Sequence, residues 1–248
     1  MPNFKYICKM LGGSHAYGLN TPNSDLDYRG VFLHTEPRYI IGLDRFEHLD
    51  KKGETDEFYW ELRHFLGLLR KTNTQVLEVL CNENWLEITP EFRTIISQKN
   101  QLMDSERFFK SLLGYINGER RLMTGERTGE LGSKRKRDID KYGFSYKNAV
   151  QLLRLTFCGT IFFTKGYFPV DIRPFDLHYE LMDIKLNPEK HSVTEILEKT
   201  EEREQAMKLA FDSRSYNYKF NEEVANSLCQ NLYLPQLTGQ SHLLLEKN

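Results

Sequence analysis

The sequence predicts an α+β protein, a small mixed β-sheet followed by a mainly helical region, and three observations carry that prediction. Short runs rich in aromatic and aliphatic side chains, bounded by Gly and Pro, crowd the first part of the chain. Apolar positions at three- and four-residue spacing begin at Leu62 and dominate the chain beyond Asn100. No strand-rich pattern reappears past that residue, which sets the expected domains at residues 1–100 and 101–248. A length of 248 residues accommodates one large domain or a sheet domain with a helical companion.

Composition excludes several classes. Apolar residues make up 40% of the chain, enough for a core. Lys and Arg total 34 against 35 Asp and Glu, so a net charge of −1 leaves no global basic signature, and any nucleic-acid surface must be local. Cys8, Cys81, Cys158 and Cys229 form no C-x-x-C pair; a zinc site is not expected, and free thiols suit a reducing, cytoplasmic setting. No apolar run is long enough to span a bilayer, and the N-terminus lacks a charged start followed by an apolar core, so a membrane is not among the expected partners.

Taken in order, residues 4–11 read as a strand that stops at Gly12-Gly13. Ser14, His15, Ala16, Tyr17 and Gly18 continue this turn, and Ser24-Asp25-Leu26-Asp27 opens a second strand over 26–33. Asp25 and Asp27, two residues apart, point the same way on a strand. Two adjacent carboxylates repel unless a cation lies between them, and hard oxygen ligands suit Mg²⁺. Glycines let backbone N–H groups approach a phosphate closely, with the Ser14 hydroxyl as a further donor. Either half alone is commonly a turn or a strand edge; order and spacing together raise their weight.

The run Gly-Ser-x-Ala-x-Gly from Gly13 to Gly18, followed by Ser24-Asp25-x-Asp27, resembles the signature of the DNA polymerase beta-type nucleotidyltransferase superfamily. Extended through Tyr28-Arg29-Gly30-Val31, it is similar to the predicted nucleotidyltransferases related to the RNA-ligase-associated group of bacteria and large phages. The resemblance implies a catalytic domain in which Asp25 and Asp27 hold two Mg²⁺ ions, Mn²⁺ being an alternative, and Gly13, Ser14 and Gly18 cradle a nucleoside triphosphate. It also implies a third acid from a later strand. Asp56, just ahead of Phe58-Tyr59-Trp60, is the candidate, with Glu57 and Glu61 as rivals and a turn cap as the plain alternative.

The remaining elements come from periodicity and caps. Residues 38–41 suggest a short strand, and Leu62, Phe65, Leu66 and Leu69 make one helical stripe. Lys71 to Leu80 resembles the group's Asn-Pro-x-x-Leu-Glu-x-Leu element, with Thr74 in place of proline; Glu78 there is expected to face solvent. Thr89-Pro90 starts a helix through Ile96, and Phe108, Leu112 and Ile116 mark another over 105–123. A basic loop, Lys134-Arg135-Lys136-Arg137, leads into a helix on which Lys147, Gln151 and Arg154 share a face. That helix resembles the group's Tyr-Asp-Thr-Lys-His-Ala-x-His-Leu-x-Arg-Leu element; Lys147 and Arg154 match it and are implied to offset triphosphate charge, whereas Asn148 and Gln151 stand at its two histidines. Residues 167–170 suggest a strand, Ser192-x-x-Glu195 opens a charged helix to about Phe211, and a last helix spans 221–232.

The expected reaction is transfer of an NMP from an NTP to a hydroxyl with release of pyrophosphate. An RNA end is the acceptor the family association points to, with the 134–147 patch as its phosphate contact. A protein or small-molecule acceptor, and a nucleotide-binding module without turnover, are the alternatives.

Overall fold

The computed structural model describes residues 3–53, 55–126 and 133–245. Strand β1 (Phe4–Leu11) runs through the short helix α1 (Gly13–Tyr17) to β2 (Asp27–His34), its antiparallel partner. Helix α2 (Pro37–Ile40), β3 (His48–Lys51) and β4 (Asp56–Glu61) come next, then α3 (Leu62–Arg70), α4 (Thr74–Cys81), β5 (Glu87–Ile88) and α5 (Pro90–Ser97). The five strands form one mixed sheet in the order β3-β4-β2-β1-β5. Only β2 and β4 run parallel.

This sheet is buried on both faces near its centre. Val31 and Leu33 point one way and Phe32 the other, and all three are fully buried. Phe32, Leu49 and Tyr59 form their own cluster, with Phe4, Tyr6, Tyr28 and Phe46 packed around it. Helix α3 lies on β2 and β4, and α5 on β1. The stripe Leu62, Phe65, Leu66 and Leu69 is the buried side of α3, as its spacing predicts. Asn73 caps α4 by accepting hydrogen bonds from the amides of Gln75 and Val76.

Beyond Asp104 the chain is helical: α6 (Ser105–Thr124), α7 (Ser133–Tyr142), α8 (Tyr146–Lys165), α9 (Leu177–Leu186) and α10 (Val193–Asp212), then α11 (Glu222–Leu245). The chain groups into two compact units. One takes the segment up to Ala16, Asn20–Asp104 and everything from Tyr218 on; the other takes Tyr17–Leu19 and Ser105–Asn217. In the second unit α8 is the central helix, packed against α6, α9 and α10. Gly159 lets α8 come close to both neighbours, since a Cβ there would collide with Leu112 of α6 and Met207 of α10. Ser192 caps α10 by accepting from the Glu195 amide.

Several sequence expectations are corrected. Residues 38–41 belong to helix α2 and its cap and not to a strand, because Pro37 sits in the first turn, where its missing N–H costs nothing. Residues 167–170 form no strand; Gly166 ends α8 in the left-handed region and the chain stays irregular. The basic run lies on α7, not in a loop. Glu78 is buried, not solvent-facing. Helix α11 continues through Pro235, which forfeits a single helical hydrogen bond. No helix among the described residues is long and apolar enough to cross a membrane.

Helix α11 is tied to the sheet by a buried carboxylate. Glu61, 3% exposed, accepts hydrogen bonds from the Tyr233 hydroxyl, from Arg63 Nε at 3.1 Å and from the His64 amide at 3.0 Å. Burial and the adjacent carboxylate push the Tyr233 phenol far up, so it stays protonated and donates. Tyr233→Phe removes one donor from a desolvated anion and is expected to cost about 1–3 kcal/mol, read as a lower urea midpoint.

Candidate active site

The segment after β1 turns tightly against the start of β2. The Gly12 amide donates to the Asp27 carbonyl at 2.8 Å. Gly13 has φ of +54°, and a Cβ there would run into Asp27 Oδ2. At Gly12 a Cβ would come within 2.8 Å of Arg29 Nε. Gly13 is thus favoured by its own left-handed backbone, and at both glycines a side chain would displace Asp27 or Arg29 of β2. Ser14, in α1, is half-buried, and its hydroxyl makes no hydrogen bond among the described residues.

Asp27 and Asp56 are register partners at the first positions of the parallel strands β2 and β4. Their side chains thus leave neighbouring strands on the same face, about 5 Å apart at the backbone. Asp25 lies two residues ahead of Asp27 in the exposed approach to β2. The Asp27 carboxyl is raised above the usual range, first by burial and also by the Asp56 and Asp25 charges, while Arg29 and His15 oppose the shift. The rivals for the third acid lie elsewhere. Glu57 takes the other face of β4 and pairs with Lys51 at 3.4 Å, and Glu61, at the far end of the strand, caps α3 and receives Tyr233.

Among the described residues no group of three or more His, Cys, Asp or Glu side chains is arranged to hold a metal ion. The donor set still fits a hard divalent cation: two carboxylates side by side, a third just upstream, and a raised Asp27 pKa of the kind a cation would reverse.

The helical unit holds the rest of the Gly-Ser-x-Ala-x-Gly run. Gly18 has φ of +72°, and a Cβ would strike Arg173, which is braced on Asp171. The Tyr17 carbonyl accepts from the Ile172 amide at 3.1 Å, and the Leu19 carbonyl accepts from Lys185 Nζ. Arg154 lies 3.5 Å above the Tyr17 ring, fully buried. Lys147 and Arg154 share a face of α8 as expected but differ in burial along it. Lys147 is exposed on the first turn of α8, while Arg154 is turned inward to Tyr17 and to Gln151 Oε1, which accepts from its Nε and Nη2 at 3.2 and 3.0 Å. Arg29, quoted only as part of the matched run, Arg173 and Lys185 carry no site role in the sequence; of these only Arg29, at i+2 from Asp27, has a periodic signal.

On α7, Lys134, Lys136, Arg137 and Lys141 are exposed. Arg135 instead donates to Asn148 Oδ1 at 3.0 Å, joining a buried network in which Asn148 accepts from Ser145 Oγ and donates to Glu119.

A family model described as the RNA repair pathway DNA polymerase beta family matches residues 3–228. The chain is also similar to an uncharacterized 38.9 kDa protein from the nrdC-mobD intergenic region of Enterobacteria phage T4, 27% identical over 124 residues, or 45% of this chain. That match spans 37% of the phage protein's length.

Gly13→Ala is expected to destabilise the protein by about 1–3 kcal/mol through its left-handed backbone and the Asp27 contact. Gly53→Ala, where a Cβ meets open space, should be neutral in the same denaturation experiment.

Proposed function

The chain belongs to the RNA repair pathway DNA polymerase beta family, and from that premise we propose a metal-dependent nucleotidyltransferase that moves an NMP from an NTP to a hydroxyl acceptor, foremost an RNA end. The observation that carries the reading is the in-register pairing of Asp27 with Asp56 beside the Gly12-Gly13 turn. Two Mg²⁺ ions, or Mn²⁺ in their place, supply when bound the positive charge that the attacking and leaving oxygens need. Asp25 and Asp27 hold them, and Asp56 completes the acceptor side and takes the proton of the attacking hydroxyl. That oxygen bonds to the α-phosphorus while the bond to the α–β bridging oxygen breaks, and pyrophosphate leaves.

Gly13 and Ser14 bring backbone N–H groups and a hydroxyl to the triphosphate, and Gly18 is assigned to the same group by its match to the family's run. Lys147 is assigned to triphosphate charge by its match to the family's lysine. Arg154 acts one step back, ordering the Tyr17 ring that precedes Gly18. The exposed cations of α7 supply phosphate contacts for an RNA acceptor.

A transfer assay with each α-labelled NTP, Mg²⁺ and a mixture of RNA ends, proteins and small hydroxyl compounds tests the reading, with Asp25→Asn/Asp27→Asn as the blank. Asp27→Asn and Asp56→Asn are each expected to lower turnover by more than about a hundredfold, the upper range for residues that merely support a metal ligand. Glu57→Gln should change it little. Unchanged turnover in Asp27→Asn would sink the proposal.

The acceptor is separable by salt. With Lys134, Lys136 and Arg137 changed to Gln, RNA affinity should drop, and the slope of log affinity against log salt should shrink by about 0.7 for each single-strand phosphate that the variant no longer neutralises. A protein or small-molecule acceptor would leave that slope flat in both proteins.

A further inference from the structure

A second charged concavity lies where β4 passes into α3, in the same compact unit but at the other end of the strand from Asp56. Strand β4 runs the whole way from Asp56 to Glu61, about 17 Å at the usual rise. The concavity encloses about 300 Å³ and is walled by Arg45, Arg63, Arg70 and Lys71, with the Phe46 and His64 rings beside them.

Two acids also line it. Glu61 is engaged by Tyr233, Arg63 and the His64 amide, and the exposed Glu47 faces only His64 Nδ1, at 3.4 Å. Arg63 spends its two terminal nitrogens on the Ile40 and Tyr39 carbonyls. Arg70 shares its charge with Glu222 at 3.5 Å. Two cations are left without a carboxylate among the described residues. Arg45 donates only to the Gly42 and Asp44 carbonyls, and the Lys71 ammonium has no ion pair. Carbonyl contacts orient a guanidinium without neutralising it, and in the lining four cations, Arg45, Arg63, Arg70 and Lys71, face two acids, Glu47 and Glu61, so positive charge is in excess. Gly67 also lines it, and a Cβ there would project into open space. Room, charge and two flat rings together match an anion attached to a nucleoside, not a bare monovalent ion.

We propose that this pocket binds a phosphate monoester, carried by a free nucleotide or by the end of an RNA chain. Arg45 and Lys71 take the phosphate oxygens, and Phe46 and His64 flank the nucleoside attached to it. The pocket belongs to none of the transfer machinery, so occupancy and turnover are separate readouts.

The test is amide NMR of the full chain at low salt, titrated in turn with inorganic phosphate, AMP, and matched 5′-phosphorylated and 5′-hydroxyl oligoribonucleotides. Shifts at Gly67, Leu68 and Lys71 are expected with a phosphorylated probe and not with the 5′-hydroxyl oligonucleotide. Response to AMP identifies a free nucleotide as the source, and response to the phosphorylated oligonucleotide alone identifies an RNA end. Arg45→Gln/Lys71→Gln, which changes two exposed side chains, should weaken this binding at least about tenfold, since hydrogen bonds to charged groups are the strong ones, with nucleotidyl transfer unchanged. Gly67→Leu should block it by projecting into that space; a thermal melt checks that variant's fold, and the double variant decides if it fails. No shifts at these amides with any phosphorylated probe, or undiminished binding in the double variant, would overturn the proposal.

Discussion

The parallel pairing of β2 with β4 sets two like charges side by side, and much of the sheet unit is arranged to hold them there. The Asp56 charge raises the Asp27 carboxyl, second to burial among the upward effects. Burying one large apolar side chain contributes about 1.5–3 kcal/mol. Further along the same strands Val31, Phe32, Tyr59 and Trp60 are all nearly fully buried, so the cores on the two faces hold the strands in register against the repulsion. Arg29, on the Asp27 face of β2, offsets part of it directly. Gly30 lets this packing close, because any Cβ there would meet the Cys8 carbonyl and the Tyr59 ring. The strain at the carboxylates is thus carried by neutral contacts a few residues away.

A second constraint separates the acids of β4 by task. Glu61 has every near donor turned toward it and is the anchor of α11. Glu57 faces the opposite side of the strand and has Lys51 as its partner. That leaves Asp56 as the one acid of β4 that is exposed and stands in register with Asp27. Alternation along a strand makes this choice, with residues 57 and 61 falling on the wrong face for any group beside Asp27.

Much of this is legible in the sequence, for reasons that also explain the failures. Strand β1 ends at a glycine pair and β2 opens on Asp27, both marked by composition and turn chemistry. The α3 stripe and the Ser192 cap of α10 are local patterns whose physics is local too. The errors fall where neighbours decide. Residues 38–41 have a strand-like composition, yet the proline ahead of them starts a helical turn. The basic run reads as a solvated loop; on α7 it holds Arg135 against Asn148, a contact invisible without the fold. Glu78 reads as solvent-facing and Arg154 as a partner for triphosphate charge, although both are buried. Periodicity gives a helix its faces without saying how many of them are covered.

Asn148 and Gln151 show why an amide suits these two positions of α8. Asn148 accepts from Ser145 and Arg135 through one oxygen while donating to Glu119. A neutral imidazole offers one donor and one acceptor nitrogen on a rigid ring, so it cannot take two donors on one atom and still give a proton to the glutamate from beside it. Gln151 likewise accepts two N–H groups of Arg154 on a single oxygen, and that bond aligns the guanidinium over Tyr17. Neither amide titrates near neutral pH, so proton transfer cannot reside here. Asn148 and Gln151 are structural supports for α7 and for the Tyr17–Leu19 segment, and in the proposed transfer acid–base work is left to the carboxylates at the start of β2 and β4.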